Sequence, residues 1–321
     1  MNLNSNIFYF ISLNFIFSFL SNILLVPNLI TIGKRLQLYD KPEKRKIHLK
    51  PIVFTGGLSI FLSSLLIIIL NIFPFKNLNI FSDTQVLTIF LSSFLCLLIG
   101  LLDDIYKVSP WPRLIIQIII SSFVWTQGIA FKEITIFEIT YNIPNFLSYF
   151  LTILWITAII NAFNWIDGID GLAAGISIIS LSSFFIIFFS NYNFEYLILI
   201  STLIGGCLGF LKYNFYPAKL IMGDGGSYFL GFNIACIGII STYNSFNNIY
   251  LPILLISIPI FDMIFVLHKR LSKRQSPFFP DNNHIHHRLI KAGLDEKSIV
   301  IRLYWGMAVL SIIGITLNTL I

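Results

Sequence analysis

Residues 161–171 read NAFNWIDGIDG, two amides and two carboxylates directly after the oily run FLTILWITAII. On a helix each step of three residues falls back by about 60°, so Asn161 and Asn164 share a face while Asp170 points elsewhere. Gly168 and Gly171 let the helix end and the chain fold back, which brings Asp167 and Asp170 towards the amides. The plain alternative is the cap of one apolar helix followed by the start of the next. Ionisable groups at membrane depth are costly and mark function, so two Asn and two Asp together favour a polar pocket.

Four other stretches hold similar groups. GLLDDIYK carries adjacent carboxylates that diverge by about 100° on a helix. Asp103 and Asp104 therefore divide their labour: one faces a metal or phosphate, and the other acts as a base or orients a neighbour. IMGDGGS places Asp224 among glycines at a helix start, where the backbone admits a ligand closely and the helix end favours anions. SPFFPDNNHIHHRL holds His284, His286, His287 and Arg288, a cationic donor set suited to phosphate; no Cys or carboxylate completes a zinc spacing. KRKIHLKPIVFTGG offers His48 and Lys50 ahead of Gly56 and Gly57 as a further phosphate contact. Asp262, inside IPIFDMIF, is expected to bond a polar neighbour or a helix end. Trp165 reads as an interfacial anchor.

The elements that position these groups follow from composition. Of 321 residues, 56% are hydrophobic and 11% charged, whereas soluble domains are about 25% charged. Long apolar runs without period-two alternation predict an all-α polytopic membrane protein, because only helices or closed barrels satisfy their backbone in lipid. Ten spans are expected, at roughly 7–27, 52–72, 86–102, 113–131, 146–162, 172–190, 195–211, 226–242, 250–268 and 303–321. They form a single integral-membrane domain over residues 1–321, with the first run retained as a span. Cys96, Cys207 and Cys236 sit singly in apolar runs as packing residues.

Threading ten spans alternately puts Lys34, Arg35, Lys41, Lys44, Arg45, Lys46, Lys50, Lys107, Arg113, Lys212, Lys219 and the basic residues of 269–302 on one side. Only Lys76 and Lys132 fall on the other. Lys and Arg mark the cytoplasmic face, so both termini point outward and every polar motif faces the cytoplasm. An acidic centre of Asp103, Asp104, Asp167, Asp170 and Asp224 beside basic loops suits Mg²⁺ bridging phosphate oxygens, and phosphoryl transfer relies on such positioning.

The DD pair, NAFNWIDGIDGL, FYPAKLIMGDGGS and HIHHRL, in this order and over about 34–289, resemble the polyprenyl-phosphate N-acetylhexosamine-1-phosphate transferases, the family of WecA and MraY. The resemblance implies transfer of a sugar 1-phosphate from a UDP-HexNAc to undecaprenyl phosphate, with release of UMP. It implies Mg²⁺, with Mn²⁺ as a substitute, at the inner (plasma) membrane, and a homodimer; nucleic acid is not a partner. Asp224 resembles the family's metal ligand. Asp103, with Asp104 and Asp167, corresponds to the catalytic acids. Lys50, Asn161, Asn164, Asp170 and the His284, His286, His287 and Arg288 cluster correspond to substrate contacts. Ile285 interrupts the histidines, which resembles the WecA group rather than the branch that handles the muramyl pentapeptide. Ile221 stands where the family often has an aromatic residue that stacks on uracil.

Two other classes fit less well. An aromatic prenyltransferase would space its polar residues in fours, not threes. A transporter would line a path through the bilayer with acids instead of gathering them at one end.

Overall fold

The computed structural model describes residues 3–40, 50–72, 84–136, 139–191, 193–244, 249–279 and 281–320, and it is 78% helical. The loop cations Lys41, Lys44, Arg45, Lys46 and Lys76, and His48, expected as a phosphate contact, lie outside the described residues. The helices are α1 (Leu3–Arg35), α2 (Gly56–Ile72), α3 (Thr84–Tyr106), α4 (Pro110–Thr126), α5 (Asn145–Ile166), α6 (Leu172–Ser190), α7 (Phe194–Asn214), α8 (Gly223–Asn244), α9 (Tyr250–Leu255), α10 (Ser257–Ser272), α11 (Ile285–Lys291) and α12 (Glu296–Leu320).

Seven of these, α1, α3, α5, α6, α7, α8 and α12, are long and apolar enough to cross a membrane. The other expected crossings are shorter. Helices α2 and α4 have 17 residues and α10 has 16, about 26 Å or less at 1.5 Å per residue, against a hydrocarbon core of about 30 Å. The span expected at 250–268 is two helices parted at Ile256 (φ −127°, ψ 20°). Pro259 lacks the N–H that a continuous helix would aim at the Leu255 carbonyl, so the chain breaks there.

Helix α8 is the axis of the bundle. It packs against α2, α3, α5, α6 and α9, and its apolar stretch is wholly enclosed by protein. Lipid supplies no hydrophobic drive between helices, so close packing of small residues and buried hydrogen bonds must hold such a bundle together. Both occur where α1 meets α2 and α7: Ser18 Oγ donates to the Thr202 carbonyl at 2.7 Å, and Asn22 Nδ2 donates to Ser59 Oγ at 3.2 Å.

Two antiparallel ribbons interrupt the all-helical expectation. Strand β1 (Tyr39–Asp40) pairs with β2 (Ile52–Val53), and β3 (Glu133–Ile136) with β4 (Ile139–Asn142). The first positions the site. Ile221 donates to the Val53 carbonyl, while Gly56 and Gly57 donate to the carbonyls of Ile221 and Met222 at 3.0 and 2.9 Å. The start of α2 is thereby laced to the start of α8. The three cysteines are free and buried.

Candidate active site

Three of the acids, Asp103, Asp104 and Asp224, meet at the first turn of α8. Gly223 has φ +75°, a left-handed conformation that suits glycine, and it swings the chain so that the N–H groups of Asp224 and Gly225 point at α3. Both oxygens of Asp104 accept them, at 3.1 and 3.2 Å. A carboxylate from a different helix thus fills the place of an N-terminal cap. Asp103, one residue earlier on α3, turns the other way and lies against the Asp224 carboxyl. Asn164 Nδ2 donates to Asp224 Oδ1 at 2.7 Å and to Ser227 Oγ at 3.1 Å, fixing the rotamer of Asp224.

A cation and a phenol complete this centre. Arg113 of α4 pairs with Asp103, and the same Nη1 donates to the Tyr228 hydroxyl at 3.1 Å. Neither residue stands out in the sequence. Arg113 reads as one more positive-inside residue, and Tyr228 as packing in an apolar run. The signal available was relative placement: Arg113 lies one turn ahead of Gln117 on an apolar helix, and Tyr228 one turn after Asp224.

Beside the acids opens a cavity of about 250 Å³. Helix α4 supplies Pro110, Arg113 and Leu114; α5 supplies Asn161, Asn164 and Trp165; α8 supplies Tyr228; α10 and the loop after it supply Arg270, Phe278, Phe279, Asp281 and His284. Asn161 is oriented by bonds from its Nδ2 to Gln117 Oε1 (2.8 Å) and the Thr157 carbonyl (2.7 Å). Trp165 is a wall of the cavity, not a free interfacial anchor: the Arg270 guanidinium sits 4.6 Å over its ring, and His284 meets it edge-on at 5.5 Å.

The loop carrying Phe278 and His284 is tied down at both ends. Arg270 Nε donates to Asp281 Oδ2 at 3.0 Å and Nη1 to the Pro277 carbonyl. Burial alone would raise the Asp281 carboxyl, but the bonds from Arg270 and Asn283 outweigh it and bring it to about 2. At the far end, Asp262 bonds His284 and the N–H of Ile285.

Not every expected contact lines the cavity. Asp170 lies elsewhere and accepts from the Ala218 N–H at 2.8 Å, holding the turn after α7. Asp167 lies among Asp104, Asp170 and Asp40; burial first, then those three charges, push its carboxyl up to about 8. Lys50 is exposed beside β2. The Arg288 guanidinium sits 3.8 Å over the Phe265 ring, against α10. His287 lies tilted by 47° against His286, ring centres 4.3 Å apart. His286 is buried, and desolvation, followed by the nearby His287 and His284, holds its ring well below the usual imidazole value, so it is neutral at pH 7.

His286 explains Gly168. A Cβ there would lie 2.2 Å from His286 Nε2 and 2.4 Å from Cε1, so the glycine serves close packing of the α5 end against α11. Gly168→Ala is expected to cost about 1–3 kcal/mol through overpacking. Thermal unfolding in detergent checks this, and adding His286→Ala should return most of the loss; a single variant that melts with the parent would refute the contact.

The centre suits a hard cation. Two buried carboxylates in contact repel each other unless something positive joins them. Arg113 neutralises one, while Asp104 is occupied as a cap. Among the described residues no group of three or more His, Cys, Asp or Glu is arranged as a metal cage. A cation would therefore rest on Asp103 and Asp224 and on oxygens of the ligand. Mg²⁺ is ordinarily held in this way, through one or two carboxylates, phosphates and water.

Comparison with known proteins gives this geometry a context. The model of glycosyl transferase family 4 matches residues 86–242, which include Asp103, Asp104, Arg113, the α5 motif and Asp224. The chain is 34% identical over 308 residues, 95% of its length and 84% of the relative's, to the Bacillus subtilis protein named "Probable undecaprenyl-phosphate N-acetylglucosaminyl 1-phosphate transferase". It is 30% identical over 292 residues, 88% of this chain and 77% of the relative, to the Escherichia coli undecaprenyl-phosphate alpha-N-acetylglucosaminyl 1-phosphate transferase. Identity to the Mycobacterium leprae decaprenyl-phosphate N-acetylglucosaminephosphotransferase is 26% over 305 residues, covering 87% and 77% of the two chains.

Proposed function

The chain belongs to glycosyl transferase family 4, and from that premise we propose that it transfers N-acetylglucosamine 1-phosphate from UDP-N-acetylglucosamine to undecaprenyl phosphate, releasing UMP. Sugar-phosphate transfer in a membrane setting is common ground with its relatives. The choice of sugar and lipid is our reading, and it follows the names of the relatives and the interrupted histidine motif. The observation that carries the chemistry is the contact of Asp103 with Asp224 beside a cavity lined by Arg113, Arg270 and His284.

An oxygen of the lipid phosphate attacks the phosphorus that bears the sugar. A new P–O bond forms, the bond from that phosphorus to the oxygen bridging it to UMP breaks, and the electron pair leaves with UMP. The lipid phosphate is already largely ionised near neutral pH, so this reading does not require a base. Arg113 would hold phosphate charge in line with the attack, and Asn161 and Asn164 would present amides to the diphosphate or sugar. Asp104 would keep the α8 N-terminus in register beneath them. Mg²⁺ held by Asp103 and Asp224 would supply charge neutralisation on the transferring phosphoryl oxygens.

The cation-rich loops support the reading that this end faces the cytoplasm and that the chain is a multi-pass protein of the inner membrane, with ten crossings if the shorter apolar helices are counted. Membranes carrying the protein should release UMP from UDP-N-acetylglucosamine only when undecaprenyl phosphate and Mg²⁺ are both present. Mass detection of the lipid product across a panel of UDP-sugars identifies the sugar. Ion flux in proteoliposomes without UMP release would replace this reading with a transporter.

A further inference from the structure

Asp262 is a buried carboxylate outside the acidic centre, with its side chain 1% exposed. Its partners among the described residues lie on the loop and helix that carry the histidines. Oδ2 is 2.9 Å from His284 Nδ1, Oδ1 accepts from the Ile285 N–H at 2.7 Å, and Arg288 Nη2 stands 3.7 Å from Oδ1. His284 itself makes no capping bond to α11, so Asp262, reaching over from α10, supplies the cap.

We propose that Asp262 is a positioning residue that fixes the tautomer and orientation of His284, so that the ring presents Nε2 to the cavity as a donor able to carry positive charge. This rests on the reading that the cavity takes the diphosphate of a nucleotide sugar. An ionised carboxylate only accepts hydrogen bonds, so Nδ1 must hold a proton. Trp165, edge-on at 5.5 Å, and His286, parallel at 5.8 Å, hold the plane of the ring. With Nδ1 committed to Asp262, the far side of the ring is what His284 offers to the cavity it lines. A second proton at Nε2 then gives a charge-assisted bond to an anionic oxygen, and Asp262 compensates the charge from behind.

Asp262→Asn separates this role from the cap. Ile285 N–H still needs an acceptor, and the amide has one oxygen, so the NH₂ must face Nδ1. That geometry forces a neutral ring with its single proton on Nε2. The cap survives while the Nδ1 proton, and with it the charge of the ring, is lost. With only five histidines in the chain, ¹⁵N NMR of histidine-labelled protein in detergent reads the tautomer directly, the His284 signal being the one absent from His284→Gln.

We expect Asp262→Asn to remove the proton from Nδ1, leaving the ring's single proton on Nε2, and to lower kcat/KM for UMP release by about tenfold or more. It should melt within a few degrees of the parent. Asp262→Asn added to His284→Gln should reduce activity no further than His284→Gln alone, since the effect runs through the ring. The proposal is overturned if His284 keeps its Nδ1 proton in Asp262→Asn, if kcat/KM stays within twofold of the parent, or if the two substitutions add. A parent protein that releases no UMP from any UDP-sugar would sink the proposed function instead, and the NMR measurement would still decide the role of Asp262.

Discussion

Asp224→Ala is expected to abolish UMP release, by about 10³-fold or more, while leaving the protein as thermostable as the parent or more so. The two halves of this result have one cause. Asp224 lies in contact with Asp103, close to Asp104, in a site enclosed by α3, α5 and α8. The 2.7 Å bond from Asn164 and nearby Arg113 favour its charge. Removing it relieves like-charge repulsion inside the protein and leaves Asn164 its second bond to Ser227. The same removal deletes one of the two carboxylates proposed to hold the cation. Functional sites commonly set activity against stability in this way. Substrate-dependent UMP release and a melting curve in detergent without added Mg²⁺ test both halves; a variant that retains a tenth of the parental rate would show that Asp224 is no ligand.

Gly100→Ala should be nearly as severe for the opposite reason, by preventing the site from assembling. A Cβ at Gly100 would stand 2.3 Å from the Asp224 carbonyl oxygen and 2.4 Å from Gly225 N. Those are backbone atoms of the turn that Asp104 caps, and no side-chain rotation relieves the clash. Helices α3 and α8 must separate, taking Asp103 away from Asp224. We expect little folded protein in membranes and no measurable UMP release from what remains. Gly306→Ala on α12 is the control, because a Cβ there meets only Ile258 Cδ1 at 3.6 Å, an ordinary contact. Equal yields of the two variants in size-exclusion chromatography would disprove the tight α3–α8 approach.

The sequence made the acids visible and hid the residues that orient them. Asp103, Asn164 and Asp224 are legible because polar groups at the ends of apolar runs are costly unless used. Their convergence is legible too, since one threading of the chain carries every motif to the same end. Arg113 reads as one loop cation among many, because the positive-inside pattern does not distinguish a residue that faces water from one that turns inward. The pairing of Asp104 with the α8 backbone bridges 120 residues, and no local pattern encodes such a distance. The division of the 250–268 run at Ile256 escaped because hydropathy registers oiliness and not backbone direction. Pro252 and Pro259 were the available hint. His284, His286 and Arg288 are alike in sequence as donors; only packing, of His286 against Gly168 and of Arg288 over Phe265, shows that two of the three lie away from the cavity.

The apolar stretch of helix α8 is walled in by protein. It has a mean hydropathy of 1.3, the lowest of the seven long helices, whereas α1 reaches 1.9 with only 22% of its window buried. A segment of this kind partitions weakly into a bilayer by itself. During biogenesis α8 therefore depends on helices already made, α2, α3, α5 and α6, to receive it as it leaves the ribosome. Substitutions that loosen those earlier segments should show up first as failed integration of α8, and quality-control proteolysis would remove the chain before its chemistry could be measured.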